Sequence, residues 1–91
     1  MKEYLPIGSV VLLKKSEKEL MIYGRKQIHL NSGMKFDYIG CLYPEGYITD
    51  EFSFFFNHSD ISQILFKGFE SEMDQIFQEE YLEAEMNSAF E

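Results

Sequence analysis

The chain has 91 residues, of which 45% are hydrophobic, so it has material for a single domain with its own core. Its net charge of −8 argues against binding to nucleic acid, which depends on clustered basic residues. Cys41 is the only cysteine, which rules out an intramolecular disulfide, and no apolar run is long enough for a signal peptide or a membrane span. We therefore expect a soluble cytoplasmic protein that has no cofactor and does not bind membranes.

The charge is unevenly distributed along the chain. Residues 1–68 contain as many acidic as basic residues, whereas residues 69–91 contain eight acidic residues and no basic one. The second segment therefore carries the whole net charge. We predict a β domain over residues 1–68, followed by an acidic amphipathic helix over residues 69–91 that packs at least partly on it, within a single domain.

Two strands are predicted near the N-terminus. The apolar run Ile7–Leu13 favours a strand buried on both faces, and the alternation over Leu20–Leu30 favours a second strand with one buried face. In this second strand, Ile22 falls on the apolar face and Arg25 on the opposite face. Gly24 lies between them and predicts a bulge or a sharp bend.

Three further strands are predicted after residue 35. Phe36–Tyr43 and Phe52–Phe56 flank a Tyr-Pro-Glu-Gly turn at residues 43–46, in which Pro44 favours a type I turn and Gly46 a left-handed conformation. A tight or 3₁₀ turn at residues 57–60 then precedes a fifth strand, Ile61–Lys67. The predicted fold class is α+β, with a five-stranded antiparallel meander or a small SH3-like barrel followed by one C-terminal helix.

The fourth predicted strand is rich in phenylalanine. Phe52, Phe54 and Phe56 share one face, and we expect that face to be core. Phe55 points the other way, so it either packs beneath the C-terminal helix or marks a contact surface.

The C-terminal helix is predicted to begin near Ser71, whose hydroxyl can cap the backbone three residues later at Asp74. One apolar stripe of this helix is expected to dock on the β domain, and it consists of Met73, Ile76, Phe77, Tyr81 and Ala84. A second stripe has no evident place in a small core, and it consists of Leu82, Met86 and Phe90. We therefore expect the later turns to contact a partner protein.

Catalysis is not expected. Cys41 lies in the middle of a predicted strand, where a free cysteine is usually packed in the core, and His58 lies in a turn, where a local hydrogen bond is its expected role. A Cys–His enzyme would require these two side chains to meet in a pocket. No set of residues has the spacing of a metal site, so no metal is predicted.

Several stretches resemble a known family. They are Leu5-Pro6-Ile7-Gly8-Ser9-Val10-Val11, Asp37 to Tyr47 with its Tyr-Pro-Glu-Gly-Tyr centre, Phe56-Asn57-His58 with Asp60-Ile61, and Phe66-Lys67-Gly68-Phe69. The family is domain-of-unknown-function family 4176, small proteins of Gram-positive bacteria encoded near type VII (ESX-like) secretion genes and LXG toxin genes. The resemblance covers residues 5–69 and brings no catalytic residues with it.

The resemblance implies a non-enzymatic accessory protein, an adaptor or chaperone that binds a type VII secreted LXG toxin or its helical partner proteins. An immunity protein that inhibits a cognate toxin domain is the alternative, and the oligomeric state is left open. The candidate partner-binding residues are Phe55, Glu79, Glu80, Leu82, Glu83, Glu85, Met86 and Phe90.

Overall fold

Five strands and a C-terminal helix make up the fold, as the sequence predicts. The computed structural model describes residues 3–83. The strands are β1 (Val10–Leu13), β2 (Leu20–Ile28), β3 (Lys35–Leu42), β4 (Ser53–Phe56) and β5 (Ile61–Phe66). Short 3₁₀ turns at Asp50–Phe52 and His58–Asp60 lead into β4 and β5, and the helix consists of α1 (Glu72–Phe77) and a π-helical turn (Gln78–Leu82).

All strand pairs are antiparallel, and the order across the sheet is β4-β3-β2-β1-β5. Strands β1 to β4 form a meander, and β5 returns to pair with the free side of β1. Strands β4 and β5 remain at opposite edges, so the sheet is open. Of the two predicted architectures, the open antiparallel sheet is therefore the observed one, and the SH3-like barrel is not formed.

A bulge in β2 reverses the expected orientation of its second half. The register against β3 shifts between Ile22 and Gly24, so that Gly24 lies opposite Ile39 and Arg25 opposite the buried Tyr38. Residues three apart in a regular strand point to opposite faces, but the extra residue places Arg25 on the same face as Ile22. The bulge at Gly24 is confirmed, and the prediction that Arg25 occupies the opposite face is wrong.

The main apolar core covers one face of the sheet. The N-terminal segment and the end of the C-terminal helix pack over side chains from β1 to β4. The buried cluster consists of Tyr4, Leu5, Val11, Leu20, Ile22, Tyr38, Phe56 and Leu82. Burial of these large apolar groups is the main favourable contribution to folding.

The N-terminal segment is tied to the end of β5 through a buried serine. The Ser9 hydroxyl donates to the Pro6 carbonyl at 2.8 Å and accepts from the Gly68 N–H at 3.0 Å. A Cβ atom on Gly68 would lie 2.3 Å from the Ile7 carbonyl oxygen, so no other residue fits without a backbone shift. The first and last stretches of the family resemblance thus meet here and hold the fold together.

A second group of long-range hydrogen bonds connects β3 to the turn after β4. The Asp37 N–H donates to the Asn57 side-chain oxygen at 3.0 Å, and the His58 N–H donates to the Asp37 carboxylate at 2.8 Å. The Tyr38 hydroxyl lies 3.0 Å from His58 Nδ1 and accepts from the Leu5 N–H at 3.0 Å. Burial raises the pKa of Tyr38 to about 12, so the phenol stays neutral. The N–H and ring of His58 therefore form hydrogen bonds, but with Asp37 and Tyr38 of β3 and not within its own turn as expected.

Removal of the Tyr38 hydroxyl tests how much its hydrogen bonds contribute to stability. Tyr38→Phe is expected to lower the free energy of unfolding by about 1–3 kcal/mol, because the buried Leu5 N–H loses its acceptor. Denaturant titration of both proteins measures the difference. The matched control is Tyr43→Phe, which removes the same atom from an exposed side chain and should leave stability nearly unchanged. Equal effects of the two substitutions would show that the Tyr38 hydrogen bonds contribute nothing.

The phenylalanine-rich segment is less buried than expected. Before this segment, Gly46 adopts the predicted left-handed conformation with a φ of 83°, and the Tyr43–Pro44 peptide is cis. Phe52 lies in a 3₁₀ turn and is 43% exposed, and Phe54 lies on the edge strand and is 40% exposed. Of the three expected core residues only Phe56 is buried, and its ring packs against that of Tyr38 with centroids 5.5 Å apart.

Candidate functional site

The C-terminal helix begins where the sequence predicts. The Ser71 hydroxyl accepts from the Asp74 N–H at 3.0 Å, which satisfies one of the unpaired donors of the first turn. After Phe77 the backbone widens into the π-helical turn, in which the Glu83 N–H donates to the Gln78 carbonyl at 2.8 Å.

The side of the helix that faces the sheet is polar in its first turns. Arg25 forms a bidentate ion pair with Asp74, with nitrogen–oxygen distances of 2.6 and 3.3 Å. The two side chains are only 5% and 19% exposed, and Arg25 also donates to the Leu5 carbonyl at 3.2 Å. The hydrogen bond from Arg25 holds the pKa of Asp74 below its usual value, so the pair is charged at neutral pH.

Two further helix residues complete the docked side. Gln78 is 4% exposed; its side-chain oxygen accepts from the Tyr4 N–H at 3.0 Å, and its amide nitrogen donates to Asp74 at 3.1 Å. Leu82, which is 6% exposed, enters the apolar core one turn later. The Lys26 ammonium group donates to the Tyr81 carbonyl and so caps the helix end. Within residues 3–83, the helix is thus attached by the ion pair, the Gln78 amide, Leu82 and the hydrogen bond from Lys26.

The side of the helix next to the docked side is apolar and largely exposed to solvent. We call Met73, Ile76, Phe77 and Tyr81 the outer face; they are 77%, 46%, 42% and 57% exposed. The prediction that this stripe docks on the β domain is therefore wrong for Met73, Ile76 and Tyr81. Phe77 is also exposed, but its ring contacts Arg25 of β2. Ala84 lies outside the described residues. The expectation that Leu82 has no place in the core is also wrong. Hydrophobic periodicity predicts the wrong docked side because the helix residues that contact the sheet include Asp74, which pairs with the buried Arg25.

The aromatic side chains of the outer face are held in place. The Phe77 and Tyr81 rings stack with centroids 5.2 Å apart and an interplanar angle of 29°. The Arg25 guanidinium carbon lies 5.7 Å from the Phe77 ring centroid, a cation–π contact that anchors the inner edge of the stack. The outer face is thus presented on a fixed support, an arrangement that lowers the entropic cost of binding.

Carboxylates border the outer face. Glu72, Glu79 and Glu80 are exposed, and within residues 3–83 none of them forms an ion pair. Glu79 accepts one hydrogen bond, from the Gln75 side chain at 3.3 Å. We call these three residues the acidic border.

The remaining candidate residues are distributed differently. Phe55 is partly buried, with its ring centroid 5.3 Å from that of His29 and 5.4 Å from that of Phe36, so it belongs to an aromatic cluster on the sheet. Glu79 and Glu80 are exposed, Glu83 is partly buried, and Leu82 is in the core. Glu85, Met86 and Phe90 lie outside the described residues.

The structure does not bring the possible catalytic pair together. Cys41 is 1% exposed and its strand position directs it to the face opposite Tyr38, the residue that His58 contacts. Burial raises the pKa of the Cys41 thiol, which disfavours the nucleophilic thiolate. Residues 3–83 contain no cluster of potential metal ligands, and none of the helices described there is long and apolar enough to span a membrane.

A second apolar surface lies along β5. This strand has a neighbour on one side only, and Ile64, Leu65 and Phe66 are 46%, 40% and 61% exposed. An exposed edge strand of this kind offers backbone donors and acceptors as well as side chains.

The sheet order and the single docked helix define a small α+β protein whose candidate site is an interaction surface. A family model described as Domain of unknown function (DUF4176) matches residues 4–77, and the chain belongs to this family. The match includes all of α1, which extends the resemblance beyond residue 69. Comparisons with curated proteins and with solved structures found no match.

Proposed function

We propose that this chain is a non-enzymatic protein-binding module that acts in the cytoplasm as an adaptor or chaperone for a type VII secreted LXG toxin or its helical partners. The observation that carries the proposal is the orientation of the C-terminal helix, which attaches through polar contacts and exposes its apolar side. The resemblance to a family encoded near type VII secretion genes supplies the partner class.

The composition of the outer face supports protein binding. Methionine and aromatic residues are enriched at the centres of protein interfaces, and the outer face contains one methionine and two aromatic residues among its four members. The ion pair, Gln78 and Leu82 make the buried contacts of the helix, whereas Met73 and Tyr81 are 77% and 57% exposed. The exposed side chains of the outer face are therefore accessible to a partner protein.

Co-expression tests the proposed function. The chain is expected to co-elute with the N-terminal LXG region of a toxin encoded beside it, on size-exclusion chromatography at low and at moderate salt. The toxin's C-terminal domain, expressed without the LXG region, is the control and should elute separately. Separate elution of the chain and the LXG region at both salt concentrations would contradict the adaptor role.

The acidic border favours one alternative, an immunity protein. Unpaired carboxylates suit a basic toxin domain that cleaves nucleic acid, because complementary charge steers association. This function predicts the reverse outcome in the same experiment: the isolated toxin domain binds and loses activity, and cells that express it survive when the chain is co-expressed. Survival without LXG binding would replace the adaptor proposal by the immunity proposal.

A further inference from the structure

The shape of the outer face matches one kind of partner segment. Met73, Phe77 and Tyr81 are spaced four residues apart, so they form a narrow stripe about 12 Å long on the helix surface. Ile76 widens the stripe at its centre. A stripe of this width and length is complementary to the apolar side of a second helix of two to three turns, because side chains of packed helices interlock along such rows.

The acidic border specifies the charge of that segment. Glu72, Glu79 and Glu80 lie three or four residues from Ile76, so they adjoin the outer face on its Ile76 side. The two cations that contact the helix in the described part of the chain already have partners. Arg25 pairs with Asp74, and Lys26 donates to the Tyr81 carbonyl. A segment that covers the outer face therefore meets negative charge on its Ile76 side that no ion pair within residues 3–83 compensates. Lysine or arginine at those positions would be attracted and glutamate or aspartate repelled.

The same charges argue against a second copy of this chain as the occupant. Two outer faces packed against each other would bring two acidic borders together, and each chain already carries a net charge of −8. A partner with opposite charge has no such penalty.

We infer that the outer face binds an amphipathic helix of the partner protein whose apolar stripe is flanked by lysine or arginine. This inference rests on the proposed function, since it specifies which part of an exported protein an adaptor of this kind recognises. It also places the contact on Met73 and Tyr81, the two most exposed members of the outer face.

A pair of model peptides tests the inference. Both are amphipathic helices of about 14 residues with the same leucine stripe; one carries lysine and the other glutamate on the flanks. The chain contains no tryptophan, so a single tryptophan in each peptide reports binding by fluorescence without interference. The lysine peptide is expected to bind, more weakly as salt is raised, and the glutamate peptide is not. Equal binding of both peptides would overturn the inference.

Two variants locate the contact. Met73→Ala with Tyr81→Ala should weaken lysine-peptide binding at least about tenfold, because it truncates two apolar anchors. Glu79→Lys with Glu80→Lys should weaken it as well and reduce its salt dependence. Leu30→Ala is the matched control, since Leu30 is 92% exposed and lies in the connection between β2 and β3, outside the outer face. Unchanged binding by the first variant would place the contact elsewhere.

The outcomes separate this inference from the proposed function. If the LXG region still co-elutes with the Met73/Tyr81 variant as tightly as with the natural chain, the adaptor role stands and the outer face is not its binding surface. If the lysine peptide binds as expected but the LXG region does not, the surface is correct and the partner class is wrong. Melting curves of the variants, expected to match that of the natural chain, verify that each one is folded.

Discussion

Asp74→Ala is expected to lower the free energy of unfolding by about 3–5 kcal/mol, a large fraction of the stability of a domain of this size. The substitution leaves the Arg25 guanidinium buried without its counter-charge, since that side chain is only 5% exposed. It also removes the acceptor of the Gln78 amide at 3.1 Å. Denaturant titration measures the loss, and detachment of the helix should appear as faster amide hydrogen exchange around Gln78.

Two controls isolate the buried pair. Glu72→Ala removes another carboxylate from the first turn of the same helix, but Glu72 is exposed and has no ion-pair partner within residues 3–83, so little change is expected. Glu45→Ala breaks the ion pair with Lys18, whose side chains are both 44% exposed, and should also have little effect. If Asp74→Ala resembled these controls, the ion pair would not be what attaches the helix.

The same pair gives the protein an acid-sensitive contribution to stability. The pKa of Asp74 is lower in the folded chain than its value of about 3.9 in an unfolded chain, chiefly because Arg25 donates to the carboxylate. The contribution is therefore fully present above about pH 4 and is lost as the pH falls through the folded-state pKa. The stability difference between the natural chain and Asp74→Asn should narrow over that range. A constant difference from neutral to acid pH would contradict this linkage.

Leu82→Ala is expected to lower the free energy of unfolding by about 2–4 kcal/mol, because it leaves a cavity where the helix end meets the core. The control is Met73→Ala, which removes a side chain of similar size from the same helix. It should change the free energy of unfolding little, since Met73 is 77% exposed. Calorimetry of the two variants compares the docked and outer sides directly. The opposite order of effects would mean that the helix packs through its outer face.

Most of the sheet follows from local sequence. The strands begin and end within a few residues of the predicted positions, because alternation and β-branched residues indicate strands and Gly-containing turns separate them. The bulge at Gly24 and the cap at Ser71 were predicted for the same reason. Each depends on a few neighbouring residues. The hydrogen bonds of Ser9 with Gly68 and of Asp37 with Asn57 join distant segments, and residue spacing alone does not predict them.

The orientation of the helix is the clearest failure of pattern-based prediction. Apolar periodicity indicates that Met73, Phe77 and Tyr81 face the sheet, and they face solvent. The docked side depends on the Gly24 bulge, which places Arg25 on the core face of the sheet. A buried guanidinium there needs a carboxylate partner, and Asp74 of the helix provides it. The acidic border, in contrast, follows from the sequence, because Glu79 and Glu80 have no basic residue nearby in the helix.

The sequence by itself determined the α+β class, the strand positions, the start of the helix and the concentration of charge at the C-terminal end. Each of these depends on residue types within one short segment. Only the tertiary structure decided that the sheet stays open, that Arg25 is buried and that the helix exposes its apolar side. These features depend on which distant groups must be paired. A buried guanidinium requires a carboxylate beside it, because an unpaired charge in the interior is costly. The helix therefore turns Asp74 toward Arg25 and leaves apolar side chains exposed.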